Sequence, residues 1–338
     1  MNVKTDLSSA VGHTPLLRLR RASELTGCEV LGKAEFLNPG GSIKDRTALG
    51  LVLDAERKGL LHPNGTIVEG TAGNTGIGLA LIGASRGYRS AIFMPDTQSR
   101  EKIDALRIAG AVVRLVPAVP YKDPRHYVHI ARAYCESLNE SVPGSAWFGN
   151  QFDNTANRDW HETTTAIEIW EQTEGRVDGF VCSAGTGGTL AGVGRALKAR
   201  KPGIKIALSD PTGSALANYI NRGELVAEGN SISEGIGSSR VTANFQDAPV
   251  DLAWSIPDQE SVPLLHELLY EEGWCVGGSS GVNLAGAIRL AQALGPGHTV
   301  VTVLSDAGTR YQAKLFNPAF LREKGIPVPA WLDKAFPG

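Results

Sequence analysis

The sequence predicts an α/β fold of two domains, each an open, mostly parallel sheet flanked by helices. Three observations carry that prediction. The chain has 338 residues, enough for two domains. Short apolar stretches alternate with helical patterns, the order expected of a parallel sheet covered on both faces. Its 40 glycines cluster at the joints of the alternation, in "GNTGIG" (73–78), "AGTGGT" (184–189), "EGIG" (234–237) and "GGSSG" (277–281).

Taken in order, the elements are these. "TALGLVLDA" (47–55) is an apolar helix entered from the loop "NPGGSIKDR" (38–46). "TIVEG" (66–70) is a strand before the first glycine loop, and "SAIFMP" (90–95) is a buried strand after it. "SREKIDALRIAG" (99–110) is an amphipathic helix with Ser99 as N-cap and Gly110 as stop. "AVVRLVP" (111–117) is a strand. "GFVCSAG" (179–185) is a strand entering the second glycine loop, and "GTLAGVGRALKAR" (188–200) is the helix after it. "KIALSD" (205–210) and "HTVVTVLSD" (298–306) are further central strands, and "SGVNLAGAIRLAQALG" (280–295) is a helix rich in small residues. Residues 47–155 form the smaller domain, and 1–46 with 156–338 the larger. Ligands of such folds sit beyond the carboxyl ends of the strands and between domains, where the glycine loops fall.

Composition narrows the function. The chain is 42% apolar and 20% charged, as soluble globular proteins are, and its net charge of −2 gives no reason to expect nucleic acid or an anionic membrane as partner. It has no apolar run long enough to span a membrane, and "MNVKTDLSSAVG" has no apolar leader, so a cytoplasmic location is expected. Cys28, Cys135, Cys182 and Cys275 are far apart and read as reduced, mostly buried thiols. The seven histidines form no ligand cluster with cysteine, so no metal site is expected.

Four loops bear the chemistry. "SAGTGGTL" (183–190) ends a strand, turns on glycines and opens a helix; its backbone N–H groups can face an anion, which makes it a phosphate cradle. It is neither G-x-x-x-x-G-K-[ST] nor G-x-G-x-x-G, and no acidic ribose ligand follows, so a nucleotide is poorly supported. The plain alternative is a tight strand-to-helix turn. "EGTAGNTGIGLA" (69–80) offers Thr71, Asn74, Thr75 and backbone amides to a carboxylate or phosphate, or else Asn74 and Thr75 only cap the helix. "TVVTVLSDAGTRY" (299–311) puts Ser305 and Asp306 at a strand's carboxyl end, to meet a ring nitrogen or to form a turn. Lys44, after Gly40, Gly41 and Ser42, is open to three readings: a phosphate clamp, a surface charge, or an amine that does covalent chemistry.

"VGHTPLLRL" (11–19), "NPGGSIKDR", "EGTAGNTG", "QFDNTANRDWHETT" (151–164), "AGTGGTLAG", "EGIG", "GGSSG" and "GTRY" occur in the order found in the cysteine synthase (O-acetylserine sulfhydrylase) and cystathionine β-synthase family. Nearly the whole chain thus resembles these pyridoxal-phosphate enzymes of the tryptophan-synthase-β fold type. The resemblance implies that Lys44 forms the internal Schiff base with pyridoxal 5′-phosphate. It implies that Gly185, Thr186, Gly187, Gly188 and Thr189 hold the cofactor phosphate, within the larger domain. Asn74 would bond the ring's 3′ oxygen. Thr71, Ala72, Gly73, Thr75 and Gln151 would receive the substrate α-carboxylate, with the smaller domain mobile about it, and Gly235 would line the nucleophile's path. The reaction implied is β-replacement on an amino acid through an aminoacrylate, with Lys44 as proton carrier. Cysteine synthesis from O-acetyl-L-serine and sulfide is the leading expectation. Alternatives are cystathionine β-synthase, cysteine desulfhydrase or a β-substituted-alanine synthase, and, in another class, a non-catalytic regulatory homologue. The family also implies a homodimer, for which the tail "AWLDKAFPG" (330–338) is a candidate apolar surface.

Departures from the family pattern are informative. Ala72 stands where many relatives have Ser, which removes one hydroxyl from the carboxylate nest. "LSDAGTRY" stands where sulfhydrylases have Pro-Ser-x-Gly-Glu-Arg-Tyr. Aligned on Gly308, Arg310 and Tyr311, the ring-nitrogen partner is Asp306; shifted by one it is Ser305. Thr309 replaces the usual Glu, Thr155 a common Pro and Gln98 a common Met.

Overall fold

The structure is a computed structural model and describes residues 3–71, 73–98 and 100–335. Its strands are β1 (Leu16–Arg18), β2 (Glu29–Ala34), β3 (Thr66–Gly70), β4 (Arg89–Pro95), β5 (Val112–Val116), β6 (Ala146–Phe148), β7 (Gly179–Cys182), β8 (Lys205–Pro211), β9 (Leu252–Ile256) and β10 (Thr299–Leu304). The chain divides into two compact units, one of Met1–His13 and Asn38–Trp160, the other of Thr14–Leu37 and His161–Gly338.

The smaller unit holds a four-stranded parallel sheet in the order β5-β4-β3-β6. Strand β3 shows why both faces are covered. Ile67 packs with Leu51, Leu79 and Ile82 on one side, and Val68 packs with Phe93 and Ala131 on the other. Alternate residues of a strand point to opposite faces, so an unbroken apolar run needs a helix layer on each. The larger unit holds a six-stranded sheet, β1-β2-β10-β7-β8-β9, parallel except for β1. Its core joins Val30, Val181, Ala207 and Val300 to Leu284, Leu290 and Ala291 of the helix Gly278–Leu294. This is the doubly wound architecture expected, in each unit.

Two details differ from the expected organisation. Residues up to His13, 38–46 and 156–160, assigned above to the larger domain, group with the smaller unit; the helix Lys44–Arg57 packs against the helix Asn74–Ser85. The approach is so close that a Cβ on Gly78 would lie 3.0 Å from both the Lys44 carbonyl oxygen and the Ala48 methyl. The tail is also used differently. Within the helix Ala330–Ala335, Leu332 is buried in the larger unit's core and Trp331 stacks on Tyr270 at 5.7 Å. Leu332 serves the chain's own core, while Trp331 and the exposed Tyr270 leave an aromatic face at the surface.

Most expected elements lie within a residue or two of their expected limits. The helix after the second glycine loop runs Gly188–Arg200, and the strand "TIVEG" is β3. The helix expected over 99–110 runs Arg100–Ile108, Gly110 follows it in the left-handed region, and the expected cap Ser99 lies outside the described residues. All four cysteines are free, three of them buried. No helix among the described residues is long and apolar enough to cross a membrane.

Candidate functional site

In the smaller unit the candidate residues gather at the carboxyl ends of β3 and β6. Lys44 is the first residue of its helix and half-buried. The loop before it is shaped by backbone bonds: Gly41 N–H donates to the Asn38 carbonyl at 2.8 Å, and Gly40 N–H donates to the Asp45 carboxylate at 2.5 Å. Asp45 therefore folds the glycines back over the helix start and fixes where Lys44 leaves the chain.

After β3, Thr71 is buried and its Oγ1 accepts from Gly73 N–H at 3.3 Å. Asn74 and Thr75 open the helix Asn74–Ser85, so the loop ends at a helix N-terminus, whose dipole favours an anion. Thr75 Oγ1 donates to Gln151 Oε1 at 2.5 Å. Gln151, buried beyond β6, is held by Asn157, whose amide donates to the Gln151 carbonyl at 3.0 Å. Asn157 Oδ1 in turn accepts from Thr47 Oγ1 at 3.0 Å, on the Lys44 helix. The structure thus brings Thr71, Gly73, Asn74, Thr75 and Gln151 together and ties them to the helix of Lys44. Ala72 lies outside the described residues.

In the larger unit the candidate residues gather beyond β7 and β10. The loop 183–187 leads into the thirteen-residue helix Gly188–Arg200. Gly187 has φ +85°, and a Cβ there would also lie 2.5 Å from Phe245 Cβ; a Cβ on Gly185 would lie 2.5 Å from the Gly235 carbonyl oxygen. Only glycine satisfies both positions. Gly235 therefore sits directly against the loop, as its own residue in a left-handed turn. Thr186 is buried, with Oγ1 accepting from Gly188 N–H at 3.4 Å and its carbonyl accepting from Thr242 Oγ1 at 2.6 Å.

At the end of β10 the two acceptor candidates separate. Ser305 Oγ accepts from Asn283 Nδ2 at 3.3 Å, and the same asparagine accepts from Ser183 N–H at 2.6 Å. Ser305 thus belongs to a brace between the ends of β7 and β10. Asp306 is buried, and its carboxylate accepts the Tyr311 hydroxyl at 2.5 Å. Burial, and next the Asp306 carboxylate, push the Tyr311 phenol well above its ordinary pKa, so it stays a donor.

Three residues carry features the sequence reading did not single out. His161 is fully buried in a π-helical turn, His161–Thr165, with its ring nitrogens 2.9 Å from Thr165 Oγ1 and 3.3 Å from Thr189 Oγ1. Lys102 is buried with its stem against Gly73, and a Cβ there would lie 3.6 Å from Lys102 Cδ. A charge four residues before Leu106, on the apolar stripe of its helix, was the available signal. Glu69, the acid before the first glycine loop, is buried too.

Comparison with known proteins identifies the family. Residues 7–306 match the family described as pyridoxal-phosphate dependent enzyme. The chain is 50% identical over 335 residues to cysteine synthase 1 of Emericella nidulans, covering 97% of this chain and 89% of that protein. It is 41% identical over 326 residues to cystathionine beta-synthase of Rattus norvegicus, covering 95% of this chain and 57% of that one. The crystal structure of O-ureido-L-serine synthase superposes with a TM-score of 0.83 at 33% identity, covering 99% of this chain and 100% of that one. The chain belongs to the pyridoxal-phosphate dependent enzymes, in the family of the cysteine synthases and cystathionine β-synthases.

Proposed function

We propose that this chain is a cysteine synthase, replacing the β-substituent of O-acetyl-L-serine with sulfide. The observation that carries the reading is the 50% identity to a cysteine synthase over 97% of the chain, against 41% for a cystathionine beta-synthase. The residues present fit the cofactor. The Gly185–Thr189 turn closes against Gly235 and Phe245 because two Cβ atoms are missing, and it ends on a helix N-terminus that favours phosphate. His161, bonded to Thr189, orients that hydroxyl at the edge of the turn.

Pyridoxal phosphate, when bound, supplies the electron sink that lets the α-proton and the β-substituent leave. Lys44 is the amine that anchors it, and Lys44 Nζ takes the proton from the substrate Cα and returns it. Thr71, Gly73, Thr75 and Gln151, with Ala72 by sequence, receive the substrate carboxylate. Asn74 takes the ring's 3′ oxygen. We assign the ring nitrogen to Asp306, a buried carboxylate oriented by Tyr311; Ser305 Oγ accepts from Asn283 and keeps its own O–H to donate, which makes it the second choice. A carboxylate there holds the nitrogen protonated, which deepens the sink. Gly235 leaves the nucleophile's path open, since nothing lies within 4 Å of where its Cβ would be. We read the enzyme as a cytoplasmic homodimer, by analogy with the family.

The deciding experiment supplies the purified enzyme with O-acetyl-L-serine and sulfide, and in parallel with serine and a thiol amino acid. Cysteine formed from the first pair at the higher kcat/KM supports the reading. Faster thioether formation from the second pair would replace it with cystathionine synthesis.

A further inference from the structure

Glu69 is the fourth residue of β3 and is 1% exposed. Its side chain reaches the turn that follows β6. Oε2 accepts from Gln151 N–H at 3.4 Å, and the carboxyl group also receives hydrogen bonds from Gly70, Asn150 and the Gln151 side chain. The turn is built around it. A Cβ on Gly149 would lie 2.6 Å from Oε2, and Asn150 holds φ +52° in the left-handed region that asparagine tolerates. Oε1 is buried without a hydrogen-bond partner, and no ion pair reaches Glu69 among the described residues. An isolated buried carboxylate is costly, and the group relieves the cost by keeping its proton.

We infer that Glu69 is a positioning residue acting in its neutral, protonated form: it fastens the 149–151 turn to the end of β3 and so sets Gln151 and Thr75 to receive the substrate carboxylate. The inference rests on the reading of Thr75 and Gln151 given above. Oε2 accepts from Gln151 N–H and Oε1 has no donor facing it, so Oε1 is the oxygen left to carry the proton. In this form Glu69 adds no negative charge behind a nest that must attract an anion; ionised, it repels the substrate and pulls on the turn. Glu69 does not touch substrate in this scheme, since it works through Gln151.

Burial raises the Glu69 pKa from its ordinary 4.5 to about 8, and the hydrogen bonds pull it back only in part. No charged group from β4, β6, the helix Asn74–Ser85 or the helix Tyr127–Ser141 adds to that shift. The titratable neighbour is Tyr127, raised above its usual value by burial and then by Glu69, hence neutral throughout. The sign follows. The folded chain holds a proton that the unfolded chain releases above about 4.5, so Glu69's contribution is complete below that pH and is lost as pH rises through about 8.

The test uses holoenzyme with Glu69, Glu69→Gln and Glu69→Ala. KM and kcat for O-acetyl-L-serine are measured from pH 6 to pH 9, with thermal unfolding of each protein over the same range without substrate. Ionisation of Glu69 removes the binding-competent form, so the ratio of wild-type KM to Glu69→Gln KM rises about tenfold between pH 7 and pH 9 while the kcat ratio stays level. Taking the ratio cancels titration of the substrate itself. Glu69→Ala raises KM several-fold already at pH 7, and Gln in the same place rescues it. The unfolding temperature of Glu69→Gln gains on wild type steadily toward pH 8. A KM ratio flat with pH overturns the inference, whether or not the unfolding temperatures diverge. Wild type that responds to no amino acid at any pH instead overturns the cysteine synthase reading, an outcome distinct from a flat ratio.

Discussion

The two glycine loops, 71–76 and 185–189, are alike in chain logic and unlike in construction. Each leaves a parallel strand and opens a helix at its N-terminus. The loop at 185–189 is shaped by what is missing: Gly185 and Gly187 let Gly235 and Phe245 press in, and backbone makes the cradle. The loop at 71–76 is shaped by side chains, through the bonds of Thr71, Thr75 and Gln151 and the acid behind them. A cradle of backbone amides suits a cofactor that stays. A nest of hydroxyls and amides, Thr71 held by a backbone N–H and Thr75 by Gln151, suits a substrate that comes and goes, because its groups are already oriented when empty. What differs is how each fails: the first by steric insult, the second by loss of single hydrogen bonds.

The largest expected effect lies outside both loops and sets the scale. Lys44→Ala lowers turnover by at least about 10³-fold and removes the visible absorbance that the cofactor has when joined to the enzyme. Near-normal turnover in that variant ends the functional reading. Next comes Gly187→Ala, which must accept both φ +85° and a contact at 2.5 Å. Titrating the apoenzyme with pyridoxal phosphate gives a Kd raised on the order of 100-fold, about 2.8 kcal/mol, with a folded protein by circular dichroism. An unchanged Kd means the loop is only a turn. Gln151→Ala is milder and falls on the substrate alone: KM for O-acetyl-L-serine rises about tenfold, about 1.4 kcal/mol, with kcat nearly constant and cofactor Kd unaffected. A change in cofactor Kd as large as that in KM would erase the contrast between the loops. Smallest is Ala72→Ser, which restores the missing hydroxyl and lowers KM about fivefold, about 1 kcal/mol; an unchanged KM shows the hydroxyl has no part in the nest.

Much of this was legible in the chain because it is local. The helix Gly188–Arg200 and the strand Thr66–Gly70 follow from glycine punctuation and runs of apolar residues, signals that neighbours in sequence already contain. The order of eight motifs identified the family, as the comparison with known proteins shows. What escaped the reading is tertiary. Lys44 joins the smaller unit through a helix contact at Gly78, thirty-four residues away in sequence, which no local pattern announces. Ser305 and Asp306 are adjacent and equally polar; only the fold gives one to Asn283 and the other to Tyr311. Glu69 in "TIVEG" looks like the solvated member of an alternating strand, but both faces of β3 are covered, so its carboxyl group has no water to face.

The contact at Gly78 has a consequence for selectivity. It fastens the helix that carries Lys44 to the helix that begins the carboxylate nest, with carbonyl and methyl 3.0 Å from where a side chain would start. On the roles proposed above, the base and the recognition loop are packed as one piece, so an amino acid held by its carboxylate is held beside the lysine. A candidate lacking that carboxylate loses its place in the queue for proton removal as well as its grip. Discrimination among small amines is then exercised at the chemical step, where it counts toward kcat/KM, as well as in the strength of binding.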